Sequence, residues 1–251
     1  MDPSGHARAA DGGGGGMNLF VDAWQYLSDG ANWGGPAGIE TRVLQHLWYS
    51  FLAVALSAVI AVPVGLVIGH TRRGSAALVG FANAMRALPT LGLLTFLVLL
   101  LGLGLIPPLL ALITVGVPPL LAGAYAGIAN VSADVVDASR AMGMTEPQVL
   151  FRAELPNALP VLLSGLRAAT LQVVATATIA AYVNLGGLGR YIFDGIGLYR
   201  YDLVLVGALL VAVLALVLDA LLAAAVWASA PGTGRLARGT VVGADVSRVA
   251  E

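Results

Sequence analysis

Between Arg86 and Asp134 the chain carries no Asp, Glu, Lys or Arg. A bilayer core takes about 20 predominantly apolar residues per helical crossing, so this interval alone is long enough to cross lipid more than once. Inside lipid the backbone has to satisfy its own hydrogen bonds, which the α-helix does within one segment. The rest of the chain follows the same plan. Five apolar runs stand out: Leu47 to Gly69, Ala76 to Leu105, Ile106 to Ile128, Ala158 to Val183 and Leu203 to Trp227. The sequence is 58% hydrophobic and only 11% charged, against about 25% charged in a soluble domain. These features predict an all-α membrane protein with about five transmembrane helices.

Residue types that are absent narrow the function. The chain has no cysteine, which excludes disulfides and thiolate metal sites. It has no lysine either; all 13 basic residues are arginine. A Walker A loop needs a lysine to reach the phosphates, so any ATPase of that kind belongs to another polypeptide. His6, His46 and His70 lie far apart and form no metal pattern; they read as solvated or interfacial. The net charge of -1 gives no reason to expect nucleic-acid binding.

The ends read differently from the centre. Residues 1–17 are Gly-rich and cannot bury a core, so they are expected to be disordered, with Met17 a candidate native start. Residues 18–42 form an extracytoplasmic or interfacial segment. Phe20, Val21, Trp24 and Leu27 recur at helical spacing, which fits an amphipathic helix at the interface or a soluble tether. Gly34 to Gly38 reads as a turn. Residues 43–230 hold the membrane domain, and 231–251 read as a polar, mobile tail.

Arginine placement sets the orientation. Arg72, Arg73, Arg140, Arg152, Arg235, Arg238 and Arg248 all fall on one side of five crossings. The other side has Arg42, Arg190 and Arg200, offset by Glu40, Asp194 and Asp202. The N-terminus is therefore expected outside and the C-terminus in the cytoplasm.

The charged interruption at 131–160 then faces the cytoplasm. Ser132 stands where it can cap a short helix, with Asp134 near the positive end of its dipole. Gly143 sits where a helix stops, because glycine takes the left-handed conformation at little cost. Thr145 and Gln148 have capping-box spacing, Pro147 falls in the first turn, and Met144 and Val149 can form a staple. Pro156 and Pro160 close the stretch. The expectation is two short capped helices, shaped to dock against another protein.

This segment resembles the EAA loop of ABC importer permeases. Asp137, Ala138 and Ser139 stand for the Glu-Ala-Ala triplet; Gly143 follows after three residues, and Ala153, Glu154, Leu155 and Pro156 after nine more. The departures are Asp for Glu, Ser for the second Ala, and Ala for Ile. Asn83 to Leu94, containing Arg86-Ala-Leu-Pro-Thr90, is similar to a segment of the glycine betaine, choline and proline importer permeases. Gly186-Gly187-Leu188-Gly189 and Gly165-Leu166-Arg167 resemble further stretches of that subgroup. Together the resemblances cover roughly Ser50 to Leu198.

Three ionisable groups lie inside the apolar runs: Arg86, Arg167 and Asp219. Such groups are costly in lipid and usually face the bundle interior. The three lie at similar depths, so Asp219 is expected to pair with Arg167 or Arg86; the alternative is that each stands alone. Pro89 either breaks the second span, as helices lining a cavity are broken, or kinks it. In the first case Asn83, Arg86 and Thr90 edge a pathway.

The resemblance implies a type I ABC importer permease fold, similar to methionine importer permeases, with a cytoplasmic coupling helix pair. It implies two ATPase subunits, a second permease that is identical or paralogous, and an extracytoplasmic solute-binding protein, all at the bacterial plasma membrane. ATP and magnesium would then reside on the ATPases, with no cofactor in this chain. Asp137, Ala138, Ser139, Gly143, Leu155 and Pro156 become the coupling residues. Compatible solutes of the glycine betaine, choline or proline type lead as substrates. An importer permease for another small solute such as an amino acid stays open, and so does an ATP-independent carrier, although Asp219 is the only embedded acid such a carrier could use. An intramembrane hydrolase lacks a Ser-His or paired-Asp arrangement inside the runs.

Overall fold

The computed structural model describes residues 15–183 and 185–229. The expectations for the Gly-rich start and for the tail with Arg235, Arg238 and Arg248 lie outside the described residues. Every regular element among the described residues is helical.

The first apolar run is longer than its sequence boundaries. Helix α2 spans Ile39–Thr71, with Gly38 before it and Glu40 in the first turn, where an acid suits the dipole. It continues through Pro63 and ends where Arg72 turns left-handed, at φ 56°. The second run is broken. Helices α3 (Ser75–Ala87) and α4 (Thr90–Leu101) are bent by 81° at Leu88 and Pro89. Both residues at the break have extended backbone angles, as expected where proline removes a donor and restricts the residue before it. An 81° bend is a broken span rather than a kink.

Helix α5 (Ile106–Ala129) opens on Pro107 and Pro108, positions whose N–H groups would be free in any case. A short helix α6 (Ala133–Ala141) and a single turn α7 (Glu146–Gln148) follow. A π-helical turn, Val149–Glu154, leads into α8 (Leu155–Thr176), which tightens into 3-10 helix over Ala177–Val183. Helices α9 (Gly189–Gly197) and α10 (Tyr201–Ser229) complete the described chain, and α1 (Gly15–Ser28) precedes it all. Four stretches are long and apolar enough to cross a membrane, and the bent α3–α4 pair makes a fifth.

The core is the α2–α5–α8 packing. A Cβ added at Gly123 would lie 2.7 Å from the Gly165 Cα, and one at Gly165 would lie 2.8 Å from the Gly123 Cα. The backbones of α5 and α8 therefore touch with no side chain between them. The Gly123-Gly127 spacing thus serves contact within the chain. Gly65 and Gly69 bring α2 equally close to Ala124 and Ile128 of α5. The buried residues Ala124, Ile128, Val136, Val149 and Ala158 join this packing to α6 and the π turn.

Several expectations need correction. Pro156 and Pro160 do not close the loop. Helix runs unbroken from Glu146 to Val183, because the π turn shifts the hydrogen-bond frame: the Leu155 N–H donates to Leu150 O, five residues back. Pro156 then falls in the first turn of α8, where a missing N–H is tolerated. Ser132 occupies the cap position of α6, but its side chain makes no capping bond. The Thr145–Gln148 capping box does form, with the Thr145 N–H donating to Gln148 Oε1 at 2.9 Å. In α1 the faces are split: Ala23 is buried and Tyr26 and Leu27 pack inward, while Phe20, Val21 and Trp24 are exposed. Two histidines are not solvated. His46 is buried and its Nε2 lies 2.9 Å from Val174 O; His70 is enclosed by two glutamates.

Candidate coupling and translocation site

The molecule has two distinct ends. At one, the start of α2 meets the glycine turn before α9. Gly186 and Gly187 both have positive φ, 88° and 72°, which glycine adopts without penalty. The Gly187 N–H donates to Gln45 Oε1 at 3.0 Å, and Tyr49 donates to Leu185 O at 2.7 Å. Tyr191 donates to Ala37 O at 3.2 Å, and burial raises its phenol pKa well above the ordinary value.

At the other end, α6, α7 and the π turn gather around the last turn of α2. Gly143 lies at φ 81° with nothing within 4 Å of an added Cβ, so the turn needs glycine for conformation and not for space. Of the residues singled out in the sequence, Asp137, Ala138, Gly143 and Pro156 are exposed and Leu155 is half-buried. Ser139 is buried, and its hydroxyl donates to Val135 O at 2.7 Å. Asp137 and Arg140 lie 3.7 Å apart. Arg140 grips Glu146 with two bonds of 3.0 Å, and Glu146 raises the Arg140 pKa further. Three large apolar side chains on the loop point into solvent: Val135, Met142 at 71% and Phe151 at 59% exposure.

Within the spans, Asp219 of α10 pairs with Arg167 of α8. Arg167 Nε and Nη2 donate to its two carboxylate oxygens at 2.5 and 2.7 Å. Arg86 joins neither of them. It is exposed on α3, next to exposed Asn83 and Pro89, and has no ion-pair partner among the described residues. Thr90 instead lines a small crevice with Leu94, Pro108, Ala111 and Thr176. So the structure brings Arg167 and Asp219 together, and the loop residues together, but it leaves the α3 residues on an open face.

Sequence reasoning missed Glu146, Glu154, His70 and His46. His70 lies one residue from the end of α2, and its partners lie more than seventy residues further on. Only the tertiary fold joins them.

Four long apolar helices and a broken fifth span, with a charged loop at one end, define a multi-pass membrane protein. Residues 61–226 match the family described as "binding-protein-dependent transport system inner membrane component", and the chain belongs to that family. It is 36% identical over 179 residues to the glycine betaine/carnitine/choline transport system permease protein OpuCB of Bacillus subtilis, covering 71% of this chain and 82% of that one. It is 36% identical over 204 residues to the carnitine transport permease protein OpuCB of Listeria monocytogenes, covering 81% and 84%. Among solved structures, the inward-facing MetNI methionine ABC transporter superposes with a TM-score of 0.68 at 22% identity, covering 76% of this chain and 96% of that one. The fold is therefore that of an ABC importer permease similar to the methionine importer subunit, and the chain is a transporter component.

Proposed function

We propose that this chain is the translocation subunit of an ATP-driven importer for compatible solutes such as glycine betaine, choline and carnitine. The observation that carries the reading is the loop. Its spacing is that of an EAA loop, its exposed face offers Val135, Met142 and Phe151 to a partner, and its second half continues as unbroken helix into the membrane. A partner pressing on that loop acts on α8 directly. Asp137, Ala138, Ser139, Gly143, Leu155 and Pro156 form the ATPase-facing coupling element. ATP and magnesium act on two separate ATPase chains, and this chain carries out no chemistry itself. A second permease, identical or paralogous, completes the path, and a solute-binding protein delivers substrate.

The loop end lies in the cytoplasm and the glycine-turn end outside, as the arginine distribution favours. Asn83, Arg86 and Pro89 face the path between the two permeases. An unpaired arginine in a membrane span needs water or a partner, and the open face of α3 offers the first. Arg167 and Asp219 hold α8 to α10. The substrate names of the relatives support the solute class, as does the similarity of Arg86-Ala-Leu-Pro-Thr90 to that subgroup.

Reconstitution tests the reading. The chain is co-expressed with a candidate ATPase, second permease and binding protein, and the purified complex is placed in proteoliposomes. Radiolabelled glycine betaine, choline, carnitine and an unrelated amino acid are then offered with and without ATP. The reading expects ATP-dependent uptake of the first three. Uptake that persists without the ATPase, or that favours the amino acid, overturns it.

A further inference from the structure

His70 stands in the last turn of α2, with 13% of its side chain exposed. Its Nδ1 lies 2.6 Å from Glu154 Oε2, and its Nε2 lies 3.1 Å from Glu146 Oε2. An ionised carboxylate only accepts, so an imidazolium can donate to both glutamates while a neutral ring donates to one. The two arms differ. Glu146 is half-exposed and is also gripped by Arg140 of α6. The Glu154 side chain is only 3% exposed, and His70 is its hydrogen-bond partner among the described residues. A buried carboxylate stripped of its partner is strongly unfavourable. The Glu154 contact is therefore the more costly of the two to open.

Two elements of the loop thus meet on one ring: Glu146 brings α7 and Glu154 brings the π turn, and Arg140 ties α6 to the first of them. The ring belongs to α2, whose 33 residues span about 50 Å at 1.5 Å per residue. At its far end Gln45 holds the Gly187 N–H. A push on the loop has a continuous route: through Glu154 to His70, along α2, and through Gln45 to the glycine turn at the opposite end. Gly69, beside His70, seats this end of α2 directly on Ile128, so the ring is held in place.

We propose that His70 and Glu154 form a fixed strut that transmits loop displacement to α2, and through α2 to the opposite side of the membrane. They are positioning residues for coupling, distinct from the loop residues that face a partner. The proposal rests on the importer reading above.

The test uses the complete reconstituted importer, with glycine betaine uptake and ATP hydrolysis measured on the same vesicles. His70→Ala/Glu154→Ala removes both partners and leaves no orphaned charge. It is expected to keep hydrolysis within about twofold of the unmodified complex while uptake per ATP falls about tenfold, a factor typical of lost coupling between sites. His70→Asn, whose amide nitrogen takes the place of Nδ1 and still donates to Glu154, is expected to keep most of the uptake per ATP. If the double alanine variant does not assemble, His70→Leu/Glu154→Leu fills the space without charge, and the same ratio is read on it. Uptake and hydrolysis falling in proportion overturns the strut, as does an unchanged ratio. An unmodified complex that shows no ATP-dependent uptake overturns the importer reading and the strut with it.

Discussion

Arg167 and Asp219 face one another across α8 and α10, closing two nitrogen–oxygen contacts of 2.5 and 2.7 Å. This planar two-bond geometry is specific to a guanidinium and a carboxylate. Arg167→Gln and Asp219→Asn are each expected to lower the thermal midpoint of the purified chain, because each breaks a two-bond contact between neighbouring helices. The exchange Arg167→Asp/Asp219→Arg restores the pair and is expected to recover most of that loss. Thermal unfolding in detergent measures all three. An exchange variant no better than the singles would show that the two charges act separately.

Gly123 and Gly165 allow no larger residue. Gly123→Leu inserts a side chain where the next helix backbone begins, 2.7 Å from the Cβ position. Overpacking of this kind costs about 1–3 kcal/mol. A drop in thermal midpoint, with insertion into the membrane retained, is the expected result.

Gly143 makes a different case. Space is open around it, but its φ of 81° is left-handed. Gly143→Ala is expected to cost about 1–2 kcal/mol of local conformational energy and Gly143→Asn less. Because the turn fixes α6 against α7, Gly143→Trp is expected to leave the chain inserted but to separate ATP hydrolysis from uptake. Normal uptake by that variant would remove the turn from the coupling element.

The buried ring of His46 reaches the Val174 carbonyl at 2.9 Å. His46→Leu keeps the bulk and removes the bond. Leaving a buried polar group short of a partner costs about 1–3 kcal/mol, and thermal unfolding is expected to register a loss of that order.

Orientation is open to a direct measurement, because the chain has no cysteine of its own. Met142→Cys and Ile196→Cys place single thiols at exposed positions on opposite ends. A membrane-impermeant maleimide added to whole cells is expected to label the second and spare the first. The reverse pattern would invert the topology and move the loop away from any cytoplasmic ATPase.

Much of this was legible in the chain itself. The apolar runs placed the spans, because a bilayer fixes the length of an apolar helix. Pro89 located the break and Gly143 the turn, because each acts through its own backbone. Asp219 had one embedded cation at matching depth on each of two helices, and tertiary packing chose Arg167. The loop's second half was misread because prolines usually stop helices, and nothing local announces a π turn. His70 escaped for another reason. Its partners Glu146 and Glu154 lie far along the chain, and an isolated histidine at a helix end carries no mark of what it will meet. Ser132 shows the converse: the cap position was right, but the side chain made no bond there.

The contact between α5 and α8 has a mechanical consequence. Where two backbones lie against each other without intervening side chains, neither can rotate or slide without collision, so the pair behaves as a rigid spine. Any opening of the molecule must then be taken up at its looser joints. The elbow at Leu88–Pro89 is one such place.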